Sequence, residues 1–264
     1  MSTSTPLTYV YCLVWNPGPP ALGRPPRGLP GARPPRVIPG GEQLWLVVSD
    51  APKDRYGEEA IDRGLKDLDW VSACAVGHQS VIGRFSRAKA VIPLKLFTLF
   101  RSDERAVAHF RAQRARLRRL ADRVSGHCEL GVRILFDEAG AVKEADREAT
   151  RDARARGGKG GTGFLMRKQS LRNAGTVAAA EARARAEDVF EQLSRLASDA
   201  TRRTPEVGDP TAGRLVLDAA FLVPAGKVAA FRTAVKRAVK PLPDCDEVTL
   251  TGPWPPYSFV GEAA

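Results

Sequence analysis

The sequence predicts an α+β fold in two domains, and three observations predict it. A chain of 264 residues exceeds what one core ordinarily organises. Short runs rich in β-branched and aromatic residues alternate with longer segments whose apolar residues recur every three or four positions. The second half runs β-α-β-α-β, the order of helices packed on a sheet in an α+β or α/β sandwich. A new unit starts after Ser125-Gly126, which divides the chain into residues 1–125 and 126–264.

Residues 7–15, LTYVYCLVW, are apolar at both alternating sets of positions, as in a central strand covered on both faces. Residues 16–40 hold nine prolines, five glycines and four arginines, with RPP twice. That composition feeds no core and disfavours regular structure, so a mobile loop is expected. A second buried strand at 44–48 ends before Pro52. Ile61, Leu65, Leu68, Val71, Ala75, His78, Ile82 and Phe85 then mark the inward face of one long helix and point His78 into the core. Residues 91–100 read as a strand with Pro93 near its start, where the missing N–H matters least. Ser102 caps the next helix, with Asp103 and Glu104 in its first turn. That helix buries Val107, Phe110, Leu117, Leu120 and Val124, leaving Arg111, Arg114, Arg116, Arg118, Arg119 and Arg123 largely on the other side.

In the second half a strand at 130–136 precedes a polar, charged segment reaching Arg156. The run GGKGGTG at 157–163 opens a long alanine-rich helix with Val189, Phe190, Leu193, Leu196 and Ala197 on its core side. A loop at 204–213 leads to a strand at 215–223, and Val228, Phe231, Val235 and Val239 define a short helix stopped before Pro241. Val248 and Leu250 mark a last strand.

The net charge of +11 invites a polyanion partner, and the arginine-rich helix with the loop RPPRGLPGARPPR offers a nucleic-acid-binding alternative. No RNA-recognition motif, helix-turn-helix pattern or interleaved stacking aromatics accompany them, and Arg, Ala, Gly and Pro are abundant together, as a GC-rich coding sequence would make them. Cys12, Cys74, Cys128 and Cys245 form no C-x-x-C pair and read as reduced thiols. The N-terminus lacks the pattern of a signal peptide, and the apolar runs fall far below the ~20 residues that span a bilayer, so a cytoplasmic protein without membrane insertion is expected. In GGKGGTGFL, Gly163, Phe164 and Leu165 stand where a phosphate loop needs G-K-[ST], which removes its lysine and its metal-binding hydroxyl. His78, His109 and His127 fit no metal-ligand spacing, and no G-x-S-x-G elbow is present. The expectation is a protein with no catalytic residue, metal or cofactor.

The closing run TGPWPPYSF, residues 251–259, resembles the end of the gas vesicle protein F/L family. The resemblance extends, in order, to YVYCLV (9–14), LWLVVS (44–49), HQSVI (78–82), VIPLKLFTLF (91–100), ELGVRI (129–134), GTGFLMRKQ (161–169) and AAFLVP (219–224). Many members have Phe-Gly where this chain has Leu96-Phe97, and an acidic-tryptophan pair at Glu129-Leu130. What the resemblance implies is an N-terminal α+β domain, a C-terminal domain of modified ferredoxin-like form, and an accessory role in gas vesicle assembly. It also implies contact with the hydrophobic shell protein and other accessory proteins, with no cofactor. In the terminal run Pro253, Pro255 and Pro256 stiffen the backbone while Trp254, Tyr257 and Phe259 offer large apolar surfaces. Trp254, Pro255, Pro256, Tyr257 and Phe259 are therefore the candidate partner-binding set, unless the run is a latch packed on its own C-terminal domain.

Overall fold

The computed structural model describes residues 5–24, 26–155, 162–203, 213–243 and 246–261. The chain divides into two compact units, Met1–Glu129 with Trp254–Ala264, and Leu130–Pro253. The first unit therefore runs on to Glu129, past the expected division at 125/126, and the terminal run is shared: residues 251–253 lie in the second unit and Trp254 onward in the first.

Strand β1 (Leu7–Trp15) is buried along almost its whole length, as its two apolar faces require. It pairs antiparallel with β3 (Leu44–Ala51), which pairs in turn with β2 (Arg36–Gly41). A bulge between Val10 and Cys12 shifts the register. The parity of β1 therefore changes midway, and Tyr9, Tyr11, Cys12 and Val14 all join one core cluster. The other edge of β1 is shared by β4 (Ala90–Pro93) and β5 (Leu99–Phe100). The single strand expected over 91–100 is thus broken. Phe97 lies at φ 65°, a backbone region that favours glycine, and its ring stacks on Trp70 at 5.2 Å between centroids. Phe97 thus places an aromatic contact at a backbone position where glycine would sit unstrained.

The expected mobile loop over residues 16–40 is corrected in its second half. Arg36–Gly41 is a paired strand, and the segment before it is tied down. Leu29 is buried, its N–H donating to the Tyr11 hydroxyl at 3.1 Å, and the Tyr56 hydroxyl donates to the Pro30 carbonyl at 2.8 Å. Arg36 donates to both oxygens of Asp103, at 2.7 and 3.1 Å, and to Asp50 at 2.5 Å. Burial pushes the Asp103 carboxyl up, but bonds from Arg36 and Thr8 outweigh it and hold the group below the usual carboxylate range.

Two short helices, α1 (Lys53–Tyr56) and α2 (Glu58–Gly64), lead to α3 (Leu68–Ile82). The long helix expected over 61–85 is interrupted because the Asp67 side chain accepts from the N–H groups of Asp69 and Trp70 and starts a new helix there. Helix α3 buries Cys74, Gly77, His78, Val81 and Ile82. A Cβ at Gly77 would collide with the Gly28 carbonyl oxygen, so glycine lets the helix meet the 28–29 backbone. Gly77→Ala is expected to destabilise the protein by about 2 kcal/mol in urea unfolding, whereas Gly83→Ala, with open space around it, changes stability by less than about 0.5 kcal/mol.

The arginine-rich segment forms α4 (Asp103–Ala112), capped by Ser102 as expected, and α5 (Arg114–Val124), the two separated at Gln113. Ala106, Phe110, Leu117, Ala121 and Val124 are the buried side.

The second unit contains β6 (His127–Phe136), whose residues from Leu130 onward belong to it, then α6 (Glu138–Ala155), α7 (Thr162–Ser194), β7 (Asp199–Arg202), β8 (Arg214–Pro224), α8 (Val228–Ala238) and β9 (Glu247–Trp254). Its sheet order is β7-β8-β6-β9. That is the βαββαβ arrangement of a ferredoxin-like fold, with α6 and α7 in the place of the first helix. Two elements differ from the sequence reading. The charged segment before Arg156 is helix α6, and the polar DATR at 199–202 pairs with β8 as β7. The core joins Leu130, Val132 and Ile134 to Val189, Leu193, Phe221, Phe231 and Val235. Leu196, expected on the core side, lies past the end of α7 and is 51% exposed. The loop expected at 204–213 and the glycines at 157–161 lie mostly or wholly outside the described residues.

Candidate functional site

On β1, Tyr9 and Tyr11 point toward α3, and His78 meets them from the helix. The Tyr9 hydroxyl lies 2.6 Å from His78 Nδ1, and His78 Nε2 lies 3.1 Å from the Leu94 carbonyl. A carbonyl only accepts, so Nε2 carries the proton and Nδ1 accepts from Tyr9. Burial outweighs the bond to Leu94 and pushes the His78 pKa down to about 4, while burial raises the Tyr9 phenol above its ordinary range. The imidazole is thus a neutral, fully bonded core group, as its place on an apolar face suggested.

Beside it the first unit has a cleft of about 500 Å³, lined by Ala75, His78, Gln79, Leu94, Leu96 and Tyr257, with Lys95 also lining it. The terminal run closes one side. The Tyr257 hydroxyl donates to Gln79 Oε1 at 2.5 Å, and the Ser258 N–H and hydroxyl donate to the buried Glu129 carboxylate at 2.7 and 2.9 Å. Phe259 and Val260 are buried. From Tyr257 to Val260 the chain is therefore a clasp on the N-terminal unit, not on the C-terminal domain expected from the sequence.

The structure separates the five candidate residues. Pro256 and Phe259 are buried and present no surface to a partner, and Pro255 and Tyr257 are partly covered. Trp254 is 44% exposed. Leu65 and Leu68, read as core, face outward, and so does Val76, which the sequence reading did not place. Leu68 is 81% exposed and Val76 67%, with Leu65 also exposed in the turn before α3. At a helical period of 3.6, Leu68, Ser72 and Val76 share the side of α3 away from its buried residues, and Ala75 on the adjoining side lines the cleft. The outer face of α3 thus presents Leu68 and Val76 together with Ser72 and the exposed Asp69, and the adjoining cleft is lined mainly by apolar groups with Lys95 at its side.

Sequence reasoning missed Glu129 and Gln79 as the anchors of the clasp. The available signal was a carboxylate directly before the apolar run 130–132, a group that needs donors when buried.

No helix among the described residues is long and apolar enough to cross a membrane. The family described as gas vesicle synthesis protein GvpL/GvpF matches residues 7–261. Gas vesicle protein L of Streptomyces sp. (strain CB03234) is 32% identical over 267 aligned positions, covering 100% of this chain and 96% of that protein. Crystal structures of the gas vesicle protein GvpF from Anabaena sp. PCC7120 and from Microcystis aeruginosa share the fold, with TM-scores of 0.66 and 0.68 at 17% identity. Each alignment covers 97% of this chain, and 98% and 99% of the respective structures. Motifs from residue 9 to residue 259, a fold shared over nearly the full length and a family match over residues 7–261 agree: the chain belongs to the gas vesicle GvpL/GvpF family.

Proposed function

We propose that this chain is a non-enzymatic accessory factor of gas vesicle formation, working in the cytoplasm in association with vesicles. It binds the hydrophobic shell protein and other accessory proteins while the shell nucleates and grows. The observation that carries this reading is the outer face of α3, where Leu68 and Val76 stand exposed and the neighbouring Ala75 leads into a mainly apolar cleft. Exposed large apolar side chains grouped on one helix face are a surface suited to an apolar partner. Covering each fully contributes about 1.5–3 kcal/mol. Trp254 is a further exposed aromatic available to a partner.

The test is a pull-down of the chain co-expressed with the major shell protein, from nuclease-treated lysate at raised salt. Shell protein is retained by the wild type, and the double variant Leu68→Asp, Val76→Asp retains at least about tenfold less with an unchanged melting temperature. Equal retention by the variant removes α3 as the binding face. Loss of shell protein from the wild type, with nucleic acid co-purifying only at low salt, instead favours polyanion binding through exposed arginines of α5 such as Arg118 and Arg119.

A further inference from the structure

We infer that the C-terminal unit carries a second docking surface, a groove along α8 that takes an amphipathic helix of a partner protein bearing acidic residues beside its apolar ridge. The groove measures about 530 Å³ and lies where the end of α7 meets α8. Its apolar lining includes Leu196, Ala230 and Ala234, and Leu196 is half exposed. Its charged lining is Arg195, Lys227 and Arg237, and among the described residues no carboxylate lines it.

The charge distribution selects the occupant. Residues 227–240, KVAAFRTAVKRAVK, contain no acidic residue, so nothing on this stretch neutralises Lys227 or Arg237 from within. Arg195 has Glu191 at 3.3 Å, one turn back on its own helix, an exposed pairing that a better-placed partner carboxylate can replace. Arg232, also on α8, is engaged elsewhere, donating to the Gly252 carbonyl at 2.7 Å. Lys227 and Arg237 stand ten positions apart, about 15 Å along a helix, so they bracket roughly three turns of a helix laid beside α8. Its apolar ridge would cover Leu196, Ala230 and Ala234, and its flanking carboxylates would meet cations near both ends. A nucleic-acid backbone would satisfy the cations but leave the apolar lining in water, so the groove favours a peptide over a phosphate chain.

This surface lies on the other unit from α3, and its test needs no shell protein. The probe is a fluorescein-labelled designed peptide of about five helical turns, with leucines at helical spacing flanked by glutamates, titrated with the full chain and read by anisotropy. The expected result is saturable binding that Leu196→Asp and Arg237→Glu each weaken by about tenfold or more, with no binding of the same peptide carrying lysines for glutamates. Both substituted side chains are exposed, so unchanged melting curves are expected, and Lys227→Glu provides a third variant at the other end of the groove. Absence of saturable binding, or binding that none of these substitutions weakens, overturns the inference. So does a single-stranded oligonucleotide that binds more tightly than the peptide and is weakened by the same substitutions, which would assign the groove to nucleic acid.

Discussion

Deleting residues 255–264 lowers the stability of the N-terminal unit by about 5 kcal/mol, with a fall of roughly 15 °C in its melting temperature. The figure follows from what the segment covers. Phe259 and Val260 are buried and Tyr257 is partly buried, so deletion returns their apolar area to water and uncovers the surface beneath. It also strips two donors from the buried Glu129 carboxylate, whose desolvation the Ser258 bonds offset. Phe259→Ala alone is expected to cost about 3 kcal/mol. Hydrogen exchange locates the effect: protection is lost in β1 and α3 and kept in β8 and α8. An unchanged melting temperature, or protection lost in the second unit instead, would show that the run does not clasp the first.

Lowering the pH from 6.5 to about 4 removes about 3 kcal/mol of stability through His78 alone. In the unfolded chain this imidazole takes up a proton as the pH falls through 6.5; in the folded chain it stays neutral to about pH 4. Across that window the unfolded state binds more protons, so stability is full above the unfolded value and is lost as the pH falls. The cause is geometric. Protonating Nδ1 would put a charge in a buried site and turn the acceptor of the Tyr9 hydroxyl into a donor. The neighbouring Tyr9 and Tyr11 phenols, both raised above their ordinary range by burial, stay neutral throughout and give no counter-charge. Urea unfolding at several pH values measures the slope, and His78→Gln is expected to flatten it. Equal slopes in variant and wild type would mean that another group carries the dependence.

The sequence was most readable where local chemistry and tertiary burial agree. Residues 7–15 carry apolar residues on both faces, and both faces are covered. Ser102 followed by Asp103 and Glu104 starts a helix because the cap and the first-turn charges act locally. The failures arise where a distant partner decides. A three-four spacing places His78 and Ile82 inward as found but carries the stripe too far back, and Leu65 and Leu68 face outward because the chain starts a new helix at Asp67, in which Cys74, Gly77 and Val81 take the buried side. Leu29 is hidden in a proline-rich run, and its burial depends on Tyr11, eighteen positions away. The DATR strand is too short and polar to announce itself without β8 beside it. Of the candidate site, the aromatics of the terminal run were legible, but their receiver was not, since Glu129 lies 129 positions from Ser258.

The division of the chain also sets an order of manufacture. The first unit is left at Glu129 and rejoined at Trp254, so one unit is inserted within the other. A ribosome delivers residues 130–253 in full before it releases Tyr257, Ser258 and Phe259. The inserted unit is thus complete as a chain while the unit around it still lacks its closing segment, and the side of the α3 cleft formed by Tyr257 is supplied only after the whole of the inserted unit has been made.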